Sequence, residues 1–383
     1  MTKYDADAIL VGGGLAGVAA AIAVAQAGLK TIHLAPTAPP DRRTSALMLP
    51  SVDYLQGAGL VDDPAALGHA LTQIRIIDAT NRLIRAPETL FDAQEAGHDA
   101  FGWNFANMRL MERFNAVAQT LANLEGRNLG ATELHDTTVS LTDGTTLSAP
   151  LIVGADGKKS LIRAAAGLKA RETAFTQSAL VCDLDLGRPI HGTSVEFHYS
   201  QGPFTLVPAG GNRANLVWID DHALLLEARE SGAEKLTATL LEKSQRLFGK
   251  ITLASPVFVF PLSSLSVPNA GADGVVLVGE AAHAFPPIGA QGLNLGLRDV
   301  ADLAASLAVS DRSTPDWAQK LSLDYATRRS ADLARTGGMV DTLFRSLLAE
   351  MIPAQALRAG GLWALKLAPF LRKQAFSLGM GGR

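Results

Sequence analysis

Glycines 12, 14 and 17 stand in the pattern Gly-x-Gly-x-x-Gly directly after the apolar run Ala8-Ile9-Leu10-Val11. Each has its own physical task. The first makes a tight turn, the second lets a pyrophosphate approach the backbone, and the third lets a helix pack closely on a strand. Far along the chain, Gly279-Glu280-Ala281-Ala282-His283-Ala284-Phe285-Pro286-Pro287-Ile288-Gly289-Ala290-Gln291-Gly292-Leu293-Asn294 joins an apolar run, Val275 to Val278, to a helical pattern from Leu293 to Leu307. Prolines stiffen such a loop, and glycines let a bound ring lie against the backbone. The helix after it begins with free N–H groups and a positive dipole end, a seat for negative charge. Asp156-Gly157 follows the buried-strand pattern Leu151-Ile152-Val153. Asp156 suits contact with the polar middle of a dinucleotide, and equally suits capping a helix that starts at Ser160. Arg43, in the turn Asp41 to Leu47, reads either as a cation for a pyrophosphate or flavin or as a solvated loop arginine.

These residues need elements to hold them. The strand Ala8–Val11, a helix from Leu15 to Gln26 ended by Gly28, and a strand from Lys30 to Leu34 make a complete βαβ unit. An acidic residue is expected at the end of its second strand, but the chain has Ala35-Pro36 there, so an adenosine ribose must be held otherwise, for example by water or backbone. The Asp41–Leu47 turn opens a helix running through Leu55 to Gly59. Ile74 to Ile77 and Arg82 to Arg85 read as a hairpin, Met108 to Leu124 as an amphipathic helix, and Thr138 to Leu141 with Thr146-Leu147 as a hairpin about Asp143-Gly144. Short strands recur from Ala179 to Ile219, Ala223 to Phe248 is helical, Val257 to Phe260 is a strand, and Trp317 to Arg383 is helical. The fold class is α/β, with a Rossmann-like domain from residues 1–72, 103–172 and 268–311. A strand-rich inserted substrate domain takes 73–102 and 173–267, and a C-terminal helical region takes 312–383.

Composition sets outer limits. A chain of 383 residues, 48% hydrophobic, with net charge −3, has ample core and little to attract a polyanion, so nucleic acid is not an expected partner. The single cysteine, Cys182, excludes an intrachain disulfide and a multi-cysteine metal site, and no metal is expected. The apolar run Leu15 to Ala25 is too short to span a bilayer and lacks a strong basic flank, so neither a cleaved signal nor a transmembrane helix is expected. From Met351 onward there is no acidic residue, while Arg358, Lys366, Arg372, Lys373 and Arg383 are basic and Leu362, Trp363, Leu365, Leu367, Phe370 and Leu371 are apolar. Such a tail either lies on an anionic membrane surface or packs on the protein body. A cytoplasmic protein with a peripheral hold on the inner membrane face is the expectation.

The Gly12 fingerprint, the Asp156-Gly157 motif and the Gly279-Glu280 motif, in this order and spacing, resemble the class A flavoprotein monooxygenases, the p-hydroxybenzoate hydroxylase-like group. Arg43-Thr44-Ser45-Ala46-Leu47 and Gln291-Gly292-Leu293-Asn294-Leu295-Gly296-Leu297-Arg298-Asp299 look most like the ubiquinone-biosynthesis hydroxylases. The resemblance implies FAD, with Gly12, Gly14 and Gly17 on the pyrophosphate, Arg43 touching FAD, and Asn107 near the ribityl chain. Asp156 would sit beside the pyrophosphate and ribityl region. Gly279 and Glu280 mark the ribityl site, where Glu280 replaces the family's Asp. Pro287, Gly289, Gln291, Gly292, Leu293 and Asn294 would form the flavin-facing wall. The catalytic contribution falls to the backbone at Pro287, Gly289 and Gly292, with no side-chain acid or base assigned. His283 belongs to the turn itself, and Trp218 and Phe204 line or support the substrate face.

The implied reaction is an aromatic hydroxylation using O2 and a transiently docked NAD(P)H, through a C4a-hydroperoxyflavin. Its implied substrate is a polyprenylated phenol or quinol precursor of ubiquinone. Residues 351–383 would meet the membrane or a quinone-synthesis complex. Other readings are a soluble aromatic-acid hydroxylase, an isoprenoid reductase, or a non-catalytic flavoprotein subunit of such a complex.

Overall fold

The computed structural model describes residues 4–80, 85–287, 289–348 and 363. A six-stranded sheet runs in the order Gly271–Ala272, Val275–Leu277, Leu151–Gly154, Ala8–Val11, Thr31–Leu34, Leu124–Arg127. Its strands are parallel apart from the antiparallel Gly271–Ala272 edge. Every residue of Ala8–Val11, Thr31–Leu34 and Leu151–Gly154 is buried, which is why these strands read as unbroken apolar runs. The helix Leu15–Gln26 packs on this sheet and against the helices Asn107–Ala118 and Gln291–Val309. Its alanines let the neighbouring elements approach closely. Residues 131–148 form a separate three-stranded antiparallel sheet.

The second large sheet has nine strands, built around Arg171–Leu186 between Phe258–Ser266 and Arg213–Asp221. Alternate residues take opposite faces. One face carries Leu180, Cys182, Leu184, Leu216, Trp218 and Phe204, and packs with Leu225, Leu236 and Leu240 of two covering helices. Trp218 and Phe204, 1% and 0% exposed, therefore face this helical cover rather than the substrate side. The indole N–H of Trp218 donates to Asp220 at 2.9 Å, and Lys243 sits 4.6 Å from the indole centroid. The opposite face carries Val181, Val217, Asn215 and Val207; Val207 packs toward Ala46 and Met48.

Several element boundaries differ from the sequence expectation for identifiable reasons. Residues after Arg43 form a strand, Thr44–Met48, paired with Gly102–Ala106. The helix starts only at Leu49–Gly57, with Pro50 in its first turn, where a missing N–H costs nothing. The helix expected from Met108 to Leu124 stops at Ala118, because Leu124–Arg127 pairs with Thr31–Leu34. The expected single helix from Ala223 to Phe248 is two, His222–Glu230 and Ala233–Lys243, parted at Gly232 with φ 87°. Gln73–Asp78 pairs antiparallel with Thr89–Asp92; of the strand expected from Arg82 to Arg85, residues 82–84 lie outside the described residues.

The helix Trp317–Leu348 crosses behind the first sheet, where the Tyr325 hydroxyl donates to Leu277 O at 2.6 Å. Its fully buried Arg329 is ringed by carboxylates: Asp302 and Asp332 each at 2.8 Å, and Asp299 at 2.7 Å. Asp332 also binds Arg298 at 2.8 Å. Burial opposes the charge of Arg329, yet Asp299 and its neighbours more than restore it. Burial likewise would raise the Asp332 pKa, but the Arg298 and Arg329 charges hold it below the usual carboxylate range. Because folding lowers this pKa, the stabilisation is complete above the unfolded value of about 4 and is lost as pH falls through the lower folded value. Asp332→Asn is expected to cost roughly 2–3 kcal/mol at pH 7, since it strands buried guanidinium charge, and to flatten the acid limb of a urea-unfolding series. An acid limb as steep as in the parent would refute the assignment.

Candidate cofactor and substrate site

The fingerprint turn is shaped by what cannot fit in it. Gly12 has φ 133°, and a Cβ there would meet Ala155 O at 2.1 Å; one on Gly17 would meet Gly12 O at 2.2 Å. A Cβ on Gly14 would meet nothing within 4 Å, and Gly14 is exposed. Gly14 is the N-cap of the Leu15–Gln26 helix, which has no side-chain cap and no acidic residue in its first turn. Its first N–H groups therefore face open space beside an exposed glycine, a suitable seat for a phosphate. His33 supports the turn from the next strand, its Nε2 2.8 Å from Gly12 O. Burial pushes the pKa of His33 down, which keeps the ring neutral. Sequence reading passed over this residue because nothing local marks it.

The second loop repeats the device. After Val275–Leu277 the chain turns at Gly279 (φ 62°) and pairs His283–Ala284 with Leu265–Ser266. It passes Pro286 and Pro287 to Gly289 (φ 65°) and Ala290 (φ 54°). Ala290 is the N-cap of Gln291–Val309, again without a side-chain cap or an acidic first turn. Pro287, Gly289 and Gly292 are exposed, and a Cβ on Gly292 would meet nothing within 4 Å. Asn294 ties this loop to the Thr44–Met48 strand: its Nδ2 donates to Ala290 O and Ala46 O at 2.6 and 2.8 Å, and its Oδ1 accepts from Met48 N at 2.8 Å. Gln291 Nε2 donates to Gly289 O at 3.1 Å, and its Oε1 accepts from Arg298 at 3.2 Å. Leu293 packs on the main core. The start of the first helix packs against both the turn and the second helix, because Cβ atoms on Gly279 and Gly296 would lie 3.2 and 3.3 Å from the Ala16 methyl.

Asp299 holds the loop from beneath. Its Oδ2 accepts the Gly279 N–H at 2.8 Å and lies 2.6 Å from His283 Nε2. Asp299 and His283 are 0% and 2% exposed. With its ring also stacked on Phe285, His283 is engaged within the turn. The pairing of Asp299 and Asp302 with Arg329 carries no local sequence signal, since the partners come from two different helices.

Arg43 is exposed and grips Asp41 through two hydrogen bonds of 2.8 and 2.9 Å. Asp41 also accepts from Asn107 at 2.8 Å, and Asn107 accepts from the Ser45 hydroxyl at 2.7 Å. The hydrogen bonds to Asp41 raise the Arg43 pKa, with a smaller contribution from the charge of exposed Glu280. Arg43, Asn107 and Glu280 thus share one neighbourhood, with Asp41 as an organiser that sequence reading had not placed in the site. The Asp156 carboxylate caps a helix: it accepts from Ser160 Oγ at 2.5 Å and from the N–H groups of Leu161 and Ile162 at 2.7 and 3.2 Å. Its backbone remains in the fingerprint turn, 2.9 Å from a Cβ built on Gly12.

Above these loops, the second sheet contributes Asn215. Its Oδ1 accepts from Thr44 Oγ1 at 2.9 Å and Asn104 Nδ2 at 2.8 Å, while its Nδ2 donates to Asp183 at 2.6 Å. This polar link fastens the nine-stranded sheet to the paired strands Thr44–Met48 and Gly102–Ala106, next to Arg43. Among the described residues no cluster of His, Cys, Asp or Glu could hold a metal. An open glycine, two uncapped helix starts and an arginine fit a dinucleotide bearing a pyrophosphate and an electron-accepting ring.

Comparison with known proteins agrees. Residues 5–336 match the FAD binding domain family. The chain is 31% identical to the ubiquinone hydroxylase UbiL of Rhodospirillum rubrum, over 96% of this chain and 88% of that one. It is 29% identical to the 3-demethoxyubiquinol 3-hydroxylase of Escherichia coli, over the full length of both. The crystal structure of p-nitrophenol 4-monooxygenase PnpA from Pseudomonas putida superposes with a TM-score of 0.80 at 19% identity, covering 98% of each chain, which shows a shared fold.

Two substitutions separate packing from binding. Gly17→Ala drives a methyl into Gly12 O and is expected to lower stability by about 2–3 kcal/mol. Gly14→Ala meets no protein atom, so it should leave the apoprotein's thermal midpoint unchanged while weakening FAD at least tenfold in a fluorescence titration. Undiminished FAD affinity in Gly14→Ala would remove this turn from the cofactor site.

Proposed function

The chain belongs to the FAD binding domain family, and from that premise we propose that it is an FAD-dependent monooxygenase that hydroxylates the aromatic ring of a polyprenylated phenol or quinol in ubiquinone biosynthesis. The observation that carries this reading is a pair of helices with uncapped N-termini, Leu15–Gln26 and Gln291–Val309, that pack closely where Ala16 meets Gly296. One suits a pyrophosphate, the other a ring that becomes anionic on reduction. The relatives supply the substrate class: a ubiquinone hydroxylase and a 3-demethoxyubiquinol 3-hydroxylase, each similar over nearly the whole chain.

When bound, FAD reduced by a nicotinamide nucleotide supplies the activation of O2 and the transfer of one oxygen atom to the ring. The protein's own part is placement and electrostatics. The backbone at Gly12, Gly14 and Gly17 takes the pyrophosphate. Arg43, kept charged by Asp41, neutralises phosphate or flavin charge at the same edge. Asn107 and Glu280 offer polar atoms to the ribityl hydroxyls, and Asp156 contributes through its turn. The N–H groups at Gly289 to Asn294 would offer fixed dipoles to negative charge on the flavin ring, with no need for reorganisation. Pro287 closes that face against water.

No helix among the described residues is long and apolar enough to cross a membrane. The basic, apolar stretch 351–383 lies outside the described residues apart from Trp363. Its composition supports contact with an anionic lipid surface, from which a prenylated substrate would be drawn.

The purified protein should be yellow and should couple NAD(P)H oxidation to a product heavier by one oxygen atom, read by mass spectrometry with polyprenylated phenols. Bound FAD with no hydroxylated product from any such phenol would refute the activity. Removing residues 351–383 should release the protein from anionic liposomes in co-sedimentation; undiminished binding would refute the membrane contact.

A further inference from the structure

On the strand Phe258–Ser266, side chains alternate between two environments. Val257 and Val259 pack into the helix-covered cluster, whereas Phe258 and Phe260 point to the other face. Their backbones pair with Val181 and Ala179, and those residues share a small apolar cluster with Ile219, Leu262 and Val217. That face is the one turned toward the cofactor loops, because Asn215 on it bonds to Thr44. Yet the two phenylalanines are 52% and 47% exposed, with rings stacked at 6.1 Å and 18°. Two adjacent aromatic rings held half in water on an otherwise ordinary surface mark a place where something apolar comes to rest.

The same strand says where this surface leads. Its far end pairs with the cofactor loop, Leu265 opposite Ala284 and Ser266 opposite His283. Phe260 and Leu265 are five residue steps apart on the strand, a run of roughly 16 Å at the usual rise per residue. Beyond Phe260 toward Phe258, the strand pairs with Arg171–Leu186 on one side, and among the described residues no strand covers its other edge there. The aromatic pair therefore stands at an open sheet edge, and its face continues along the strand through Leu262, Ser264 and Ser266 to the cofactor loop.

We propose that Phe258 and Phe260 form the binding surface for the isoprenoid chain of the substrate, which lies across the stacked rings while its aromatic head reaches the cofactor loop. This rests on the hydroxylase reading above and adds the residues that recognise the chain. Extended hydrocarbon laid on aromatic faces gains by removing both from water. Rings about half exposed in the folded chain have apolar area left to bury against a ligand.

The test compares two phenols that share a headgroup, one bearing a long polyprenyl chain and one bearing a single isoprene unit. In the full-length FAD-loaded enzyme, the double variant Phe258→Ser/Phe260→Ser is expected to raise KM for the long-chain phenol roughly tenfold, the size of effect produced by losing one to two buried methylene equivalents. Its kcat, flavin content and activity on the short-chain phenol should stay within twofold of the parent. Phe258→Leu/Phe260→Leu, which keeps the surface apolar, should restore KM. Equal KM values for parent and serine variant on the long-chain phenol would overturn the proposal, as would equal losses on both phenols. If the parent itself hydroxylates neither phenol, the underlying hydroxylase reading has failed instead.

Discussion

A single buried carboxylate organises the site. Asp299 accepts the backbone N–H of Gly279 and lies 2.6 Å from His283, which fixes the turn from which the long cofactor loop departs. A carboxylate with 0% exposure is tolerable only when opposite charge stands beside it, and Arg329 provides that charge. Arg329 is also fully buried, and draws in Asp302 and Asp332. Asp332 then holds Arg298, which reaches Gln291 at the start of the next helix. The loop is thus anchored at both ends by one ionic network, and the helix Trp317–Leu348 becomes part of the site's foundation.

This arrangement explains how open backbone N–H groups survive in a folded protein. Helix starts are ordinarily satisfied by a side-chain cap. Those at Leu15 and Gln291 have none, and each lies beside an exposed glycine. Rigid surroundings keep them open: Gly12 and Gly17 are locked by close backbone contacts, and Asn294 binds the second loop to Ala46 and Met48. The fold holds two electropositive sites a short distance apart, which is what a molecule with a pyrophosphate and a redox-active ring requires.

The nine-stranded sheet divides its labour by face. The buried aromatic residues Trp218, Phe204 and Phe197 stabilise it beneath its helical cover. The other side combines a polar link, Asn215 with Asp183, Thr44 and Asn104, with an apolar stretch ending in exposed phenylalanines. A face that is polar at one end and apolar at the other suits a ligand with the same division.

Local order was legible where it depends on neighbours in the chain. The βαβ unit, the glycine fingerprint, the loop from Gly279 to Asn294 and the uncapped helix after it all follow from short-range geometry, since a glycine's φ, a proline's missing N–H and an apolar run act within a few residues. The strand at Thr44–Met48 and the early end of the helix at Ala118 were not legible, because their pairing partners, Gly102–Ala106 and Thr31–Leu34, lie far away in the chain. Which face Trp218 takes was hidden for the same reason: alternation shows that Trp218 and Val217 oppose one another, but only the docking of two helices decides which side is covered. Asp41 as the partner of Asn107, and Arg329 as the partner of Asp299, belong to the same class. By itself the sequence determined the kind of cofactor turn and its position along the chain; tertiary structure decided which charges meet beneath it, because the energy of a buried ion pair depends on distances that only the packed fold sets.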